Sequence, residues 1–554
     1  MKSVIKLTWR SIRTFFGRYM ALLLIVALSA GFFAGLKITK NAMTNTCDNF
    51  LTEQNFYDYR LLSTLGFTED DVESFSALSD VDFAEGTYTV DAMMLHDESN
   101  RAFKLLAMPD AVNLPSLSAG KLPVNNKECL ADDERFDEDD IGTVIRVSED
   151  NDGSVRDQIA NDEYTIVGLV DSPLYLNLDR ETTSIGSGAV YSFLYLPAEN
   201  FTSEVYTEIN ITLSESAPIY SDEYDDLIES HKEEITALCK QLANDRYDEL
   251  VSDSLLAMGL PSDMELSDDI KAMLERGGLF EPETYVLTRN ENAGYVSFEN
   301  DTSIISGVAN IFPVFFILIA MLVCMTTMTR MVDEERTQIG VLKAMGFRNS
   351  AIMAKYLFYA GSATVIGWVI GFFVCTWGLP KIFWFAYSAI YNFAPISYLF
   401  SPSLAIITLA VSLVGILGSA FISCRKELGS VPAKLIRPRA AKNGKRIFLE
   451  RITPLWKRFP FLRKITLRNM FRYKKRLIMM LVGITLIAYT IINEDTLLVS
   501  DAQRVQEALE LGLSPVKDTI TDIIVAVAGV LVFYAGLYVD KICKHRITKR
   551  YMRI

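Results

Sequence analysis

The sequence predicts a polytopic α-helical membrane protein of about six transmembrane helices, with a large α+β extracytoplasmic domain inserted between helices 1 and 2. Three observations lead there. Half of the 554 residues are hydrophobic and 22% are charged, and the apolar residues gather in runs too long for a soluble core helix. Residues 41–303 hold 56 Asp and Glu against 15 Lys and Arg, a balance of −41, whereas the rest of the chain holds 13 acids and 39 bases. That acidic block also contains short β-rich stretches separated by turn residues. One acidic block between basic ones describes a protein with two sides, and it argues against a nucleic-acid partner.

Residues 1–40 form a basic N-terminus and a first span. Lys2, Lys6, Arg10, Arg13 and Arg18 precede the apolar run Tyr19–Leu36 with no acid among them. A cleaved signal peptide is the alternative, with Ala30 as the small residue. The apolar core is longer than a usual signal core, however, and Lys37 and Lys40 follow it. Further spans are expected at Ile304–Thr327, Leu357–Trp377, Leu404–Ser423, Leu477–Asn493 and Thr521–Val539, each near the roughly 20 residues that cross a bilayer. Cys424–Arg476 carries 18 bases and two acids, and the tail Lys541–Arg553 is basic again. With six alternating spans all the basic segments fall on one side, so both termini are expected in the cytoplasm and residues 41–303 outside. No span has a central charge, which disfavours a charged ion pathway. Gly31/Gly35 and Gly367/Gly371 either allow close helix approach or reflect the general frequency of glycine in membrane helices.

Within 41–303, the stretches GTYTVDAMML, FKLLAM, GTVIRVS, YTIVGLV and AVYSFLYL read as strands from their β-branched and aromatic content. From about 221 to 276 the pattern turns helical. Tyr224, His231 and Leu238 repeat at seven, as do Ile228, Ile235 and Leu242, which predicts a coiled-coil-like arm interrupted at Pro261, with His231 packed in the seam. The acidic run Asp132–Asp140 reads as a solvated face. The Asp150/Asp152 stretch lacks the first acid and the bidentate Glu of a calcium loop. Seven cysteines show no framework spacing and three histidines lie far apart, so no metal site is expected.

Thr329–Ile352 is a charged, amphipathic helix expected in the cytosol. Met331, Glu335, Ile339, Leu342 and Met345 share one broad face, and Gly346 supplies a stop. Its polar face mixes both signs, with three consecutive acids, unlike the Lys/Arg-rich faces of membrane-surface helices. A soluble protein partner fits better. DEERTQIGVLKAMGF resembles the ERxxEIGxLKAxG segment that follows the second span in the FtsX-like/MacB-like permeases of ABC transporters. LPSLSAGKLPVNNKECLADD and YTIVGLVDSP are similar to elements of that family's outer domain, and the resemblance covers about residues 1–440. It implies a FtsX-like permease core over 304–423, with 329–352 as the coupling helix that docks on a separate ABC ATPase subunit. Glu334, Glu335, Arg336, Ile339, Gly340, Lys343 and Gly346 match the motif and are the expected partner contacts.

The chain has no GxxxxGK[ST], so no cofactor is expected in it, and ATP with its magnesium belongs to the partner subunit. The chain is expected to be non-catalytic. Movement of the outer domain would then drive export or extraction of a lipid, peptide or drug-like molecule. The alternative is a FtsX-type regulator that signals to an extracytoplasmic partner such as a cell-wall hydrolase. TWRSIRTFFGRYM at Thr8–Met20 is echoed by TLRNMFRYKKRLI at Thr466–Ile478, as in the family's two-repeat members. After the basic linker 424–476, residues 477–554 hold a partial second repeat with no second coupling motif. A second permease copy is one way to supply the missing docking helix. Membrane lipids complete the expected partners, in a multi-pass protein of the cell membrane.

Overall fold

The computed structural model describes residues 2–96, 99–261, 264, 268–391, 393–436, 460, 461 and 464. The expected spans at Leu477–Asn493 and Thr521–Val539, the repeat at Thr466–Ile478 and most of the basic linker lie outside the described residues. In chain order the helices and strands are α1 (Lys2–Thr14), α2 (Phe16–Glu53), β1 (Tyr59–Phe67), α3 (Glu69–Ser76), β2 (Val81–Thr87), β3 (Thr89–His96), β4 (Ser99–Ala107), β5 (Ser116–Gly120), β6 (Glu128–Asp132), β7 (Val144–Val147), α4 (Gly153–Arg156), β8 (Glu163–Asp171), β9 (Ser192–Leu196), β10 (Tyr206–Leu213), α5 (Asp222–Ala257), α6 (Asp268–Arg276), β11 (Thr284–Thr288), α7 (Ala293–Glu334), α8 (Arg336–Ala344), α9 (Asn349–Tyr387), α10 (Pro402–Leu428) and α11 (Pro432–Ile436). Four helices among the described residues are long and apolar enough to cross a membrane: Phe16–Glu53, Ala293–Glu334, Asn349–Tyr387 and Pro402–Arg425.

The chain divides into two compact units. The first holds the described parts of residues 1–37, 306–376 and 401–554. Its core joins Leu22 and Val26 of α2, Cys324, Met328 and Met331 of α7, Ile339 of α8, Tyr356, Tyr359 and Ala360 of α9, and Ile416, Ala420 and Cys424 of α10. On the other side of α9, Val365, Ile366, Val369, Ile370, Phe373 and Val374 are exposed, an apolar stripe suited to acyl chains. α2 and α9 meet backbone to backbone. A Cβ on Gly371 would lie 2.0 Å from the Ala27 carbonyl oxygen, and one on Gly31 2.5 Å from that of Gly371. Glycine at these two positions is therefore a packing requirement, which resolves the open reading of the sequence in favour of close approach.

The second unit comprises residues 38–305 and 377–400. It contains a four-stranded antiparallel sheet in the order β11-β1-β10-β2 and a seven-stranded mixed sheet in the order β5-β8-β6-β9-β4-β3-β7. β7 also pairs with β8, so six strands of the larger sheet close on themselves around Phe103, Leu105, Ile145, Tyr164, Ile166 and Leu194. Closure removes free edges. The five stretches read as strands fall in β2–β3, β4, β7, β8 and β9.

α5 differs from the expected coiled coil. Tyr224, Ile228, Ile235 and Cys239 pack with Val72 and Phe75 of α3 on the Tyr59, Leu61, Ile209 and Ile211 face of the small sheet. A seven-residue apolar repeat fixes which helix face is buried but not what covers it. The far end of α5 packs on α6, where Val251 and Leu255 of α5 meet Leu274 of α6. His231 lies partly exposed beside Asp80, 3.4 Å away. The loop between β8 and β9 is held by buried charges: Arg180 donates to both Asp132 oxygens at 2.7 and 2.9 Å, and Ser192 adds a hydrogen bond at 3.2 Å.

Candidate functional site

The segment expected to dock a partner, residues 329–352, spans the end of α7, all of α8 and the start of α9, and is broken where α7 stops being regular. Glu335, with φ −87° and ψ 8°, separates α7 from α8. Backbone bonds Glu335 N–Met331 O and Ile339 N–Glu335 O, both 3.0 Å, carry the helical path across the break. α8 ends in a left-handed glycine. Gly346 has φ +89°, its N–H donates to Lys343 O at 3.0 Å, and Phe347 N–H donates to Leu342 O at 3.1 Å. These are the two bonds of a Schellman stop, which needs a residue free of a Cβ penalty at the turn.

Glu335 is buried, with side-chain exposure of 8%. A carboxylate there requires compensation, because desolvation of an unpaired charge is costly. Three groups supply it. Lys355 Nζ donates at 2.7 Å, Tyr356 OH at 2.7 Å and Ser11 Oγ at 3.2 Å. The cluster ties α1, the α7–α8 break and α9 to one carboxylate. Glu334 is exposed and forms a two-pronged pair with Arg18 at 2.7 and 2.9 Å, with Arg330 adding a bond at 3.1 Å.

The remaining motif residues point α8 at the end of α10. Ile339 lies in the apolar core. A Cβ on Gly340 would be 2.8 Å from Ile436 Cγ1 and 3.1 Å from Leu435 Cβ, so its missing side chain lets α11 nest on α8. Lys343 Nζ donates to the Leu428 carbonyl and, at 2.9 Å, to the Ser430 carbonyl. It thereby satisfies oxygens at the end of α10 that have no helical partner, and partial burial lowers its pKa. Arg336 is half-buried and Gly346 exposed.

Of the seven expected contact residues, Glu335, Ile339 and Gly340 face inward. The exposed surface of the same segment is different. Every residue from Ala344 to Ser350 is exposed, including Met345 at 61% and Phe347 at 48%. Met345, Gly346, Phe347, Arg348, Ser350 and Ala351 line a shallow open depression. Sequence reasoning missed Met345 and Phe347 as surface groups, although two large apolar residues flanking a helix-stop glycine were a usable signal. It also missed Ser11, Lys355 and Tyr356, for which local pattern offers none, because they meet Glu335 only in the fold.

Four long apolar helices define a multi-pass membrane protein. Residues 310–426 match the family model described as FtsX-like permease C-terminal. That part of the chain, which contains all of α8 and, from the cluster, Glu335, Lys355 and Tyr356 but not Ser11, is similar to the FtsX-like permease segment. Two solved structures are similar to the chain. One is the extracellular domain of the noncanonic ABC-type transporter YknZ from Gram-positive bacteria, at 10% identity and TM-score 0.21, covering 41% of this chain and 98% of that one. The other is the periplasmic region of MacB from Actinobacillus actinomycetemcomitans, at 8% identity and TM-score 0.22, covering 46% and 95%. No curated protein matches the chain.

Proposed function

We propose that this chain is the non-catalytic membrane subunit of an ABC transporter, docking a separate ATPase through α8 and the turn that follows it. The observation that carries the reading is the contrast within one short segment. Glu335, Ile339, Gly340 and Lys343 brace α8 from inside, while Met345 and Phe347 stand exposed at its tip. A rigid support under an exposed apolar tip is what a docking element needs, since well-packed apolar anchors dominate interface energetics. In this reading the motif residues Glu334 to Gly346 shape the docking element, and the tip supplies the apolar contact. The charge split of the sequence supports placing α8 and both termini in the cytoplasm and the second unit outside.

ATP binding and hydrolysis on the partner would then move the outer unit and act on a lipid, peptide or drug-like molecule at the outer face. One observation favours the second reading, a regulator of an extracytoplasmic protein. Leu256, Met258, Met273 and Phe280, at the α5–α6 end, are exposed apolar residues, and Met-rich surfaces adapt to protein partners.

Co-purification tests the docking proposal. An ATP-binding-cassette protein is expected to come down with the intact chain in mild detergent. Phe347→Asp should weaken that association at least tenfold while leaving thermal unfolding unchanged. An unaltered association in Phe347→Asp and Met345→Asp would refute docking at this tip.

A further inference from the structure

α1 has two faces with different chemistry. The inward face is polar: Thr8 and Ser11 are buried, with Thr8 Oγ1 donating to the Lys355 carbonyl at 3.5 Å and Ser11 Oγ to Glu335 at 3.2 Å. The outward face carries Trp9, 61% exposed, with Arg10 and Arg13 exposed beside it. Trp9 and Arg13 are four residues apart and Arg10 is adjacent, so the three form one patch on a helix. Phe16, 59% exposed, continues it at the start of α2.

What covers this face follows from charge and position. Residues 1–18 contain five bases and no acid, and α2 turns apolar within one turn of Arg18. A single-signed basic patch with an indole, at the foot of an apolar helix, matches the anionic headgroup layer of a bilayer. There Trp settles at the interface and guanidinium forks engage phosphate. The α8 segment, by contrast, carries both signs, as a protein-facing surface does.

We propose that the Trp9–Arg10–Arg13 face of α1 binds anionic phospholipid headgroups, and that the Ser11–Glu335 contact relays this occupancy to the α8 docking segment. The relay gains its meaning from the docking reading above, whereas lipid binding stands without it. Each arginine near an anionic surface contributes roughly fivefold in affinity, so removing both is expected to weaken binding by roughly thirtyfold.

The test uses the purified full chain with Cys375 and Cys543 replaced by Ser, and bimane on Thr14→Cys, an exposed position of α1. Phosphatidylglycerol titrated into neutral micelles should shift the emission, with half-saturation moving by tens-fold in Arg10→Gln/Arg13→Gln and with an unchanged melting midpoint. Phosphatidylcholine and inorganic phosphate should leave the emission unshifted. Equal shifts with phosphatidylcholine, or indifference to the arginine pair, would overturn the lipid site. For the relay, bimane on Ser350→Cys should respond to phosphatidylglycerol in the parent chain and lose the response in Ser11→Ala. A response retained in Ser11→Ala would overturn the relay. Neither readout needs an ATPase, so failure here and failure of the docking reading are distinguishable.

Discussion

Removing the Glu335 carboxylate should loosen the first unit far more than its single position implies. Glu335→Ala leaves the Lys355 ammonium, 10% exposed, without its counter-charge, and breaking one side of a buried pair typically costs about 3–5 kcal/mol. It also strips Tyr356 OH and Ser11 Oγ of their acceptor, at about 1 kcal/mol or more each if water cannot replace it. Replacing both charges, as in Glu335→Leu/Lys355→Met, removes the orphaned ammonium and leaves only the two hydroxyls to suffer. The double variant should then lose about 2 kcal/mol, well below the sum of the singles, a coupling of at least ~3 kcal/mol. Cys324 and Cys424 are fully buried in this unit and report its opening. Their alkylation, resolved by mass spectrometry, should accelerate by more than about a thousandfold in Glu335→Ala, tenfold per 1.4 kcal/mol, and by only about thirtyfold in the double variant. Additive single effects, or an unchanged rate in Glu335→Ala, would refute the bracing role.

Three further outcomes are expected. Gly371→Ala places a methyl 2.0 Å from the Ala27 carbonyl oxygen, against the roughly 3.3 Å of an ordinary C···O contact. Helices α2 and α9 must part, and thermal unfolding in detergent should fall by the equivalent of about 1–3 kcal/mol, while Gly378→Ala, with open space around it, should not. Gly340→Ala should destabilise modestly by pressing on Ile436 and Leu435, and Ile436→Ala should restore part of the melting midpoint, because it removes the nearer contact, Ile436 Cγ1 at 2.8 Å, and leaves Leu435 Cβ at 3.1 Å. In the second unit, burial, reinforced by Asp133, Glu134 and Asp132 and opposed by Arg180, raises the Asp171 pKa to about 7. Folding therefore binds a proton there. Asp171 penalises the folded state increasingly as pH rises from its unfolded pKa to about 7, by up to about 1.4 kcal/mol per unit; Asp171→Asn should flatten that part of the stability profile.

The four long apolar helices of the described residues were legible because span length is set by the bilayer, and continuous apolar runs leave little freedom. The strands were legible where β-branched and aromatic residues concentrate. β5 (SLSAG) and β6 (ECLAD) carry no such signal and exist through pairing with β8 and β9, so tertiary context overrode propensity. The α8 segment stands out by its mixed charges between apolar runs, and the face grouped as Met331, Glu335, Ile339 and Leu342 is the inward one, whereas Met345, placed on the same face, is exposed. Glu335 falls on that apolar face as an acid with no local partner, and Lys355, Tyr356 and Ser11, 20, 21 and 324 residues away in sequence, make its burial possible. Gly340 likewise looks like a generic helix glycine until α11 is placed against it.

Sidedness decides the account most directly. In a chain with its reactive cysteines replaced, Ser350→Cys in the docking turn and Glu229→Cys on α5, both at exposed positions, are treated with a membrane-impermeant maleimide on intact cells. The account predicts labelling at 229 alone, with 350 reacting only after permeabilisation. Labelling at 350 in sealed cells would put the α8 tip outside, beyond reach of any cytosolic ATPase.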